Sequence, residues 1–539
     1  TRIIDPGQSQ ITQLNEQAMS LKVTDLQSGD ARAVYKNSGM DMRTYKRLQM
    51  FVHAEKLIDD KTNLRDGDVS VFLRLGSDSK SNYYEYEVPL SLTEPGNYST
   101  YNAQDQEAVW PQSNMFDFPL SLFTDLKLER NAKKRMDNST VTFQTRYSSY
   151  DPDKNQTKVT IVGHPSLSDV RTMMIGVRNN SNAAKDIVVW VNEMRLTDFD
   201  QSGGWAAKAN VNLGLSDIAT LNIAGHVETV GFGGIDQSLT ERRLDDYYQY
   251  NIATMVELGR FLPEKVKLKA PLFYSITEQR TSPKYNPLDQ DILLKDALDN
   301  AGSKAERDSI SDASIEKSTV ESFSLSGVSF DIRSKNPMPY DPANFSISYS
   351  YNRQSKQDPT TEFENTYDYR GSFTYSYTPF IKPFVPLKGL KSKSKHLKFL
   401  KEWEFNYLPN NIAFNTNMSR YYYEQQIRDV SGSGGMALPT SVSKSFLWDR
   451  QFSLTWNLTK SINLSLQTMT NAHIEEPVGV VNKQLFPDEY EAWKDTVLTS
   501  IKNLGTPWNY NQTFNASYTA PFSKIPVLDY LSFNAKYNA

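Results

Sequence analysis

The chain of 539 residues has no cysteine. That excludes disulfides, thiolate metal sites and cysteine nucleophiles, although an envelope protein can also lack cysteine, so the absence assigns no compartment. It lacks any run approaching the roughly 18 unbroken apolar residues of a membrane-spanning helix. With 38% hydrophobic residues and a mean hydropathy of −0.57, a bundle of transmembrane helices is excluded, whereas a membrane barrel is not, because half of each barrel strand is polar. It also lacks a charge excess. Its 59 basic and 63 acidic residues leave −4, which gives nucleic acid no electrostatic footprint. No Gly-x-Ser-x-Gly elbow anchors a hydrolase triad, and no enzymatic activity and no cofactor are expected.

What the chain does have is aromatic residues, 12% of the total, as expected where rings gather at two membrane interfaces. They fall into a pattern. Phe345, Ile347, Tyr349 and Tyr351 alternate with Ser346, Ser348, Ser350 and Asn352. Phe452, Leu454, Trp456 and Leu458 alternate with Ser453, Thr455, Asn457 and Thr459, and Leu531, Phe533, Ala535 and Tyr537 with Ser532, Asn534, Lys536 and Asn538. Successive side chains of a strand point to opposite faces. Aromatic faces opposed to Ser/Thr/Asn faces, over the about 9–11 residues a tilted strand needs to cross a bilayer, predict the wall of a barrel with lipid outside and water inside. On that reading Phe345, Ile347, Tyr349, Phe373, Leu454, Trp456 and Phe533 face lipid. Ser346, Ser348, Ser350, Thr374, Ser376, Thr455, Asn457 and Asn534 face the lumen.

Residues 1–200 read differently. Tyr45–Ala54, Asp68–Leu75, Tyr83–Leu90, Arg171–Arg178 and Asp186–Leu196 are short β-branched runs broken by turn residues, which predicts a water-soluble β-sandwich. Ser121–Lys134 is the helical candidate, with a basic end that suits a helix C-terminus. Gln201–Gly204 reads as a hinge. From Trp205 to 539 the strands are those of the barrel, interrupted by a charged, helix-prone aqueous excursion near 285–317 and a basic one near 379–401. Asp429–Gly435 reads as a flexible loop. The fold class is therefore all-β: a portion of a very large transmembrane β-barrel preceded by a jelly-roll-like sandwich, with short helical insertions. The chain opens on Thr-Arg-Ile-Ile-Asp-Pro, which looks like the middle of a longer sequence. The ~12 strands after residue 205 are expected to continue past Ala539, because an unpaired edge in lipid costs several kcal/mol.

Single motifs carry less. His164 and His226 have no partner at ligand spacing and read as ordinary histidines, and no metal site is expected. Asp289, Asp291, Asp296 and Asp299 lack the glycine and terminal glutamate of a calcium loop and read as a solvated helix start. Gly231–Gly234 lacks the Lys-Ser/Thr of a phosphate loop and reads as a turn. Lys388, Lys391, Lys393, Lys395, Lys398 and Lys401 form either a lipid-headgroup patch or a solvated loop. Trp110, Trp190 and Trp205 could stack on sugars, but a single tryptophan in a sandwich is more often core.

Several longer runs carry a resemblance. Val191–Asp200 (Val-Asn-Glu-Met-Arg-Leu-Thr-Asp-Phe-Asp), followed by Gly203–Ala207, is similar to the SprA/Sov translocon family of the Bacteroidetes type IX secretion system. So are His164–Val170, Phe261–Lys265 and Pro283–Asp291. The end of the Asp186–Leu196 run, Trp190–Leu196, also resembles the closing strand of jelly-roll carbohydrate-binding modules. The translocon resemblance implies an outer-membrane channel of a Gram-negative bacterium that passes folded proteins to the cell surface and supports gliding motility. Secreted cargo proteins, plug and accessory proteins and outer-membrane lipid would be its partners. The alternative is a surface polysaccharide-binding outer-membrane protein.

Overall fold

The computed structural model describes residues 18–99, 101–136, 138–238, 241–387, 389, 403–429, 438–484, 486–522, 528 and 530–539. The lysine run from Lys388 to Lys401 and the Ser431–Gly435 run lie outside these residues. The chain divides into two compact units: residues 1–205 with 230–245 and 283–314, and residues 206–229 with 246–282 and 315–539.

The first unit is a sandwich of two antiparallel sheets. One has the order β1 (Met19–Leu26), β10 (Lys185–Phe199), β3 (Tyr45–Glu55), β6 (Phe116–Pro119). The other has the order β2 (Ala31–Met40), β9 (Val170–Asn179), β4 (Val69–Gly76), β5 (Tyr83–Pro89), β8 (Lys154–Val162), β7 (Tyr147–Asp151). Strand period dictates the packing: Leu48, Met50, Val52 and Ala54 of β3 are buried while their neighbours are not. They meet Val71, Leu73, Tyr84, Tyr86 and Val177 of the opposite sheet in one core. Tyr86 stacks on Phe118 at 3.9 Å between ring centroids. Helix α1 (Ala103–Val109) begins at Asn102, whose side chain accepts from Gln104 N–H, a conventional N-cap. Helix α2 (Ser121–Lys134) occupies the segment whose periodicity predicts a helix. It buries Phe123 and Leu126, but also Lys127 and Arg130.

The second unit is one long antiparallel meander. Its strands are β11 (Ala206–Leu215), β12 (Ala219–Glu228), β13 (Asp245–Glu257), the short β14 (Leu268–Lys269) and β15 (Pro271–Pro283). After β16 (Tyr285–Asn286), β17 (Asp289–Leu293), α3 (Leu294–Asp299) and α4 (Lys304–Ser314), which lie in the segment 283–314 of the first unit, it resumes. Then come β18 (Glu316–Phe330), β19 (Phe345–Gln357), β20 (Thr361–Tyr377), β21 (Asn411–Ile427), β22 (Ser441–Asn457), β23 (Ile462–His473), α5 (Pro487–Lys502), β24 (Thr506–Thr519) and β25 (Asn534–Asn538). The 13-stranded sheet runs from β11 to β25 in sequence order, apart from β14, which pairs off the main path with β18, and it does not close on itself among the described residues.

Two differences from the sequence reading have physical causes. Strands β20, β21 and β22 are each 17 residues long, beyond the 9–11 expected. A backbone ladder needs no apolar side chains, so pairing runs on past the apolar band into Arg353, Glu364 and Glu424. Gly204 and Gly231 are set by close approach, while Gly203 beside them is in open space. A Cβ on Gly204 would lie 2.2 Å from Phe232 N and 2.6 Å from Val230 O, and Gly231 has φ +86°. Only glycine admits that backbone contact.

Candidate functional site

In an antiparallel ladder, residues directly opposite each other share a face, so register carries a face from strand to strand. Ser346 lies opposite Thr374, and Ile347 opposite Phe373. Thr374 lies opposite Asn415, Ser376 opposite Ala413, and Tyr375 opposite Phe414. Next, Asn411 meets Thr455 and Ile412 meets Leu454, then Thr455 meets Ser465 and Trp456 meets Leu464. At the far edge Ala516 meets Tyr537 and Thr519 meets Asn534. The register thus gathers Ser346, Ser348, Ser350, Thr374, Ser376, Thr455, Asn457 and Asn534 on one face. Phe345, Ile347, Tyr349, Phe373, Leu454 and Trp456 share the other. Phe533 precedes β25, in step with Tyr537, and its carbonyl accepts from Ala520 N–H.

The faces differ in chemistry. On the polar one, Thr374 Oγ1 donates to Asn415 at 3.2 Å and Asn251 Nδ2 to Thr277 at 2.6 Å. On the apolar one, rings meet across strands: Phe345 with Tyr375 at 5.1 Å, Tyr351 with Tyr369 at 5.0 Å, Phe373 with Phe414 at 6.5 Å. The separation has exceptions. Thr416 and Arg450 sit in the apolar rows and Phe273 in the polar ones. No helix among the described residues is long and apolar enough to cross a membrane.

The first unit holds a buried charge cluster that sequence reasoning missed. Lys127 of α2 has a side chain only 1% exposed and pairs with Asp289 and, at 2.8 Å, with Asp291. It also donates to the carbonyl of Pro165 at 2.8 Å. Asp291, fully buried, accepts further from Tyr84 Oη at 2.6 Å and Leu167 N–H at 3.1 Å. Burial pushes the Tyr84 hydroxyl well above its usual range, with the Asp291 charge adding to it. Burial also pushes the Asp289 carboxyl up, against the pull of Lys127. Around this centre Arg43 Nη1 donates to Gln290 O at 2.9 Å, and its guanidinium lies 4.5 Å from the Tyr285 ring. Lys284 pairs with Asp200 at 2.8 Å, and that bond, with Ser202, holds the Asp200 carboxyl well below the usual range.

This corrects the reading of the acidic run. Asp289 and Asp291 are not a solvated helix start; they are desolvated on a lysine that lies 162 and 164 residues earlier. Asp296, in the first turn of α3, and the exposed Asp299 do belong to a helix. The tryptophans also depart from a core role: Trp190 is 39% and Trp205 58% exposed, while Trp110 packs edge-on to Phe51 and His53. His164 lies against Phe143 at 3.8 Å, and burial lowers its pKa. His226 reaches Glu228 at 2.9 Å. No group of His, Cys or carboxylates that could hold a metal occurs among the described residues.

Three of the four runs that carry the family resemblance build these features. His164–Val170 and Pro283–Asp291 converge on Lys127. Val191–Asp200 contains a bulge, with Glu193 at φ +49° and the register with β3 shifting between Asn192 and Arg195. The family model described as motility related/secretion protein, SprA N-terminal type, matches residues 1–298, from the sandwich through β17 into α3. The chain belongs to that family. Its association with motility and secretion follows. No curated protein matches the chain. An all-β chain of a secretion-related family, with no apolar helical span among its described residues, is compatible with an outer-membrane protein.

Helix α5 was also missed, although its signal was present. Pro487, Asp488 and Glu489 form a helix start, and Tyr490, Trp493, Val497 and Ile501 keep helical spacing.

Proposed function

We propose that this chain forms part of the wall of a protein-conducting outer-membrane channel that exports folded proteins to the cell surface, in type IX secretion and gliding motility. The observation that carries the reading is the register-locked separation of an aromatic face from a Ser/Thr/Asn face across the meander. Such a sheet is stable with hydrocarbon on one side and water on the other. Its mechanism is geometric. A hydrated lining offers a passing folded protein no apolar surface to adhere to, and the lumen of a barrel widens with strand number. The wall is passive and catalyses nothing. Selectivity and sealing then fall to partners: secreted cargo proteins, a plug and accessory proteins, with outer-membrane lipid around them. Family membership supports the same reading.

The test is thiol labelling. Cysteine at Tyr349, Phe373, Trp456 or Phe533 should be shielded from a membrane-impermeant reagent in lipid, whereas cysteine at Ser350, Thr374, Asn457 or Asn534 should react. Equal labelling of both sets defeats the proposal. In cells, deleting the gene should leave folded cargo in the periplasm. The alternative, capture of surface polysaccharide by the exposed Trp190 and Trp205, leaves secretion intact and abolishes glycan binding.

A further inference from the structure

Beside α5, a cavity of about 420 Å³ opens over the first half of β20 and the second half of β21, within the about 300–1,000 Å³ of small-ligand sites. Its walls include the rings of Tyr367 and Tyr369 from β20, Tyr422 from β21, and Tyr490 and Trp493 from α5, with Arg420 among them. The rings are held in place. Tyr490 and Trp493 lie 5.4 Å apart, and Tyr367 and Tyr422 5.9 Å apart. The Tyr422 hydroxyl accepts from Val481 N–H at 3.1 Å and donates to Glu424 at 3.0 Å. Trp493 Nε1 donates to Glu476 Oε1 at 2.7 Å.

The charges around the cavity are of both signs. Arg420 places Nε at 2.9 Å and Nη2 at 2.8 Å from that same Glu476 oxygen. Its guanidinium lies 4.9 Å from the Trp493 ring, 5.4 Å from Tyr422 and 5.9 Å from Tyr369. Lys483 lies 5.9 Å from the Tyr490 ring and Arg353 5.7 Å from the Tyr367 ring, so all five rings already face a cation, and a further one would meet their repulsion. Lys444 donates to Pro477 O at 2.6 Å, and Glu424, bonded by Tyr422 and by Asn365 at 2.9 Å, adds negative charge. Arg420 is neutralised by Glu476, so it offers an anion little. What the walls suit is an uncharged molecule with an apolar C–H face to lay on rings and hydroxyls to reach phenols and a carboxylate. That describes a sugar ring.

We propose that this cavity binds a neutral glycan through a pyranose unit stacked between α5 and the sheet. The cavity opens on the aromatic face, in the half of β20 and β21 that carries Arg420 and Glu424, so the proposal rests on that half lying outside the hydrocarbon, and its test reads ligand binding rather than secretion. The full chain, purified in an uncharged polyoxyethylene detergent that carries no sugar, is titrated with maltotetraose, mannotetraose and a dextran tetrasaccharide. Tetramethylammonium and inorganic phosphate serve as charged comparisons, with calorimetry and ligand-observed saturation-transfer NMR as readouts. At least one neutral oligosaccharide should bind saturably, and neither ion should compete. Tyr490→Ala and, on the sheet side, Tyr369→Ala should each weaken that binding about tenfold, while Tyr490→Phe should hold it within about threefold, since stacking needs the ring and not the hydroxyl. Two alanine sites on different elements separate loss of a wall from loss of the helix. Absence of saturable binding by all three sugars, preference for either ion, or unchanged affinity in both alanine variants overturns the proposal.

Discussion

The sandwich and the meander are built from the same alternating strand code, yet they dispose of their apolar residues in opposite ways. In the sandwich Phe116, Phe118, Phe123 and Tyr84 are fully buried between two sheets. In the meander Ile347, Tyr349, Phe373 and Leu454 lie along one face of a single sheet, with Ile347 55% exposed. A two-layer element supplies its own apolar solvent, whereas a one-layer element with an apolar face must find one outside itself. The polar residues follow suit. The sandwich buries its charges in compensated clusters, on Lys127 and between Glu85, Arg74 and Arg178; the polar face of the meander is mostly uncharged Ser, Thr and Asn, with Asp368 and Arg370 among them.

That contrast can be broken most forcefully at Lys127. Lys127→Met leaves the buried Asp291 and the half-buried Asp289 without their cation and should cost about 3–5 kcal/mol. Denaturant unfolding followed by proteolysis within 283–314 would show it; a loss near zero would mean the cluster is not desolvated. Matched truncations come next. Phe118→Ala in the sandwich core should cost about 3–5 kcal/mol, while Phe373→Ala should cost about 1 kcal/mol or less in lipid. Equal costs would erase the distinction between the two regions. Within the meander, Leu454→Arg should cost about 2–4 kcal/mol near a bilayer midplane, and Thr455→Arg, one residue on and across the sheet, much less. Refolding into vesicles measures both, and a reversed order would invert the faces.

The smallest effect is one of pH, confined to the sandwich. Burial alone would raise the Asp78 carboxyl, but hydrogen bonds led by Ser81 N–H, with the Asn82 side chain and Lys80 N–H, bring it down to about 2. A carboxyl depressed in the folded state contributes stability above its unfolded pKa of about 3.9 that is lost as pH falls. Asp78→Asn should therefore destabilise the sandwich at pH 7, with the difference from the parent chain shrinking between about pH 4 and pH 2. A difference that stays constant across that window would rule out the titration.

Much of this was legible in the sequence because it is local. Period-two alternation in Phe345–Asn352 dictates two faces whatever the strand pairs with, and β3, β4, β5, β9 and β10 fall within a few residues of their predicted runs. The Ser121–Lys134 helix likewise announces itself by spacing and a basic end. Missed features were of two kinds. Helix α5 had a legible start and period that went unread. The Lys127 cluster had none, because nothing local distinguishes a lysine in an amphipathic helix from its solvated neighbours Lys133 and Lys134.

Sequence alone determined the strand code, the absence of cysteine chemistry and the kinship carried by His164–Val170, Val191–Asp200 and Pro283–Asp291, since each depends only on residue identity and near spacing. Tertiary structure alone decided that Asp289 and Asp291 pair with the buried Lys127, that Trp190 and Trp205 stay exposed, and that three rings surround Arg420. Those outcomes depend on which distant segments meet. Burial and charge compensation are properties of the meeting, and no window of sequence contains both sides of it.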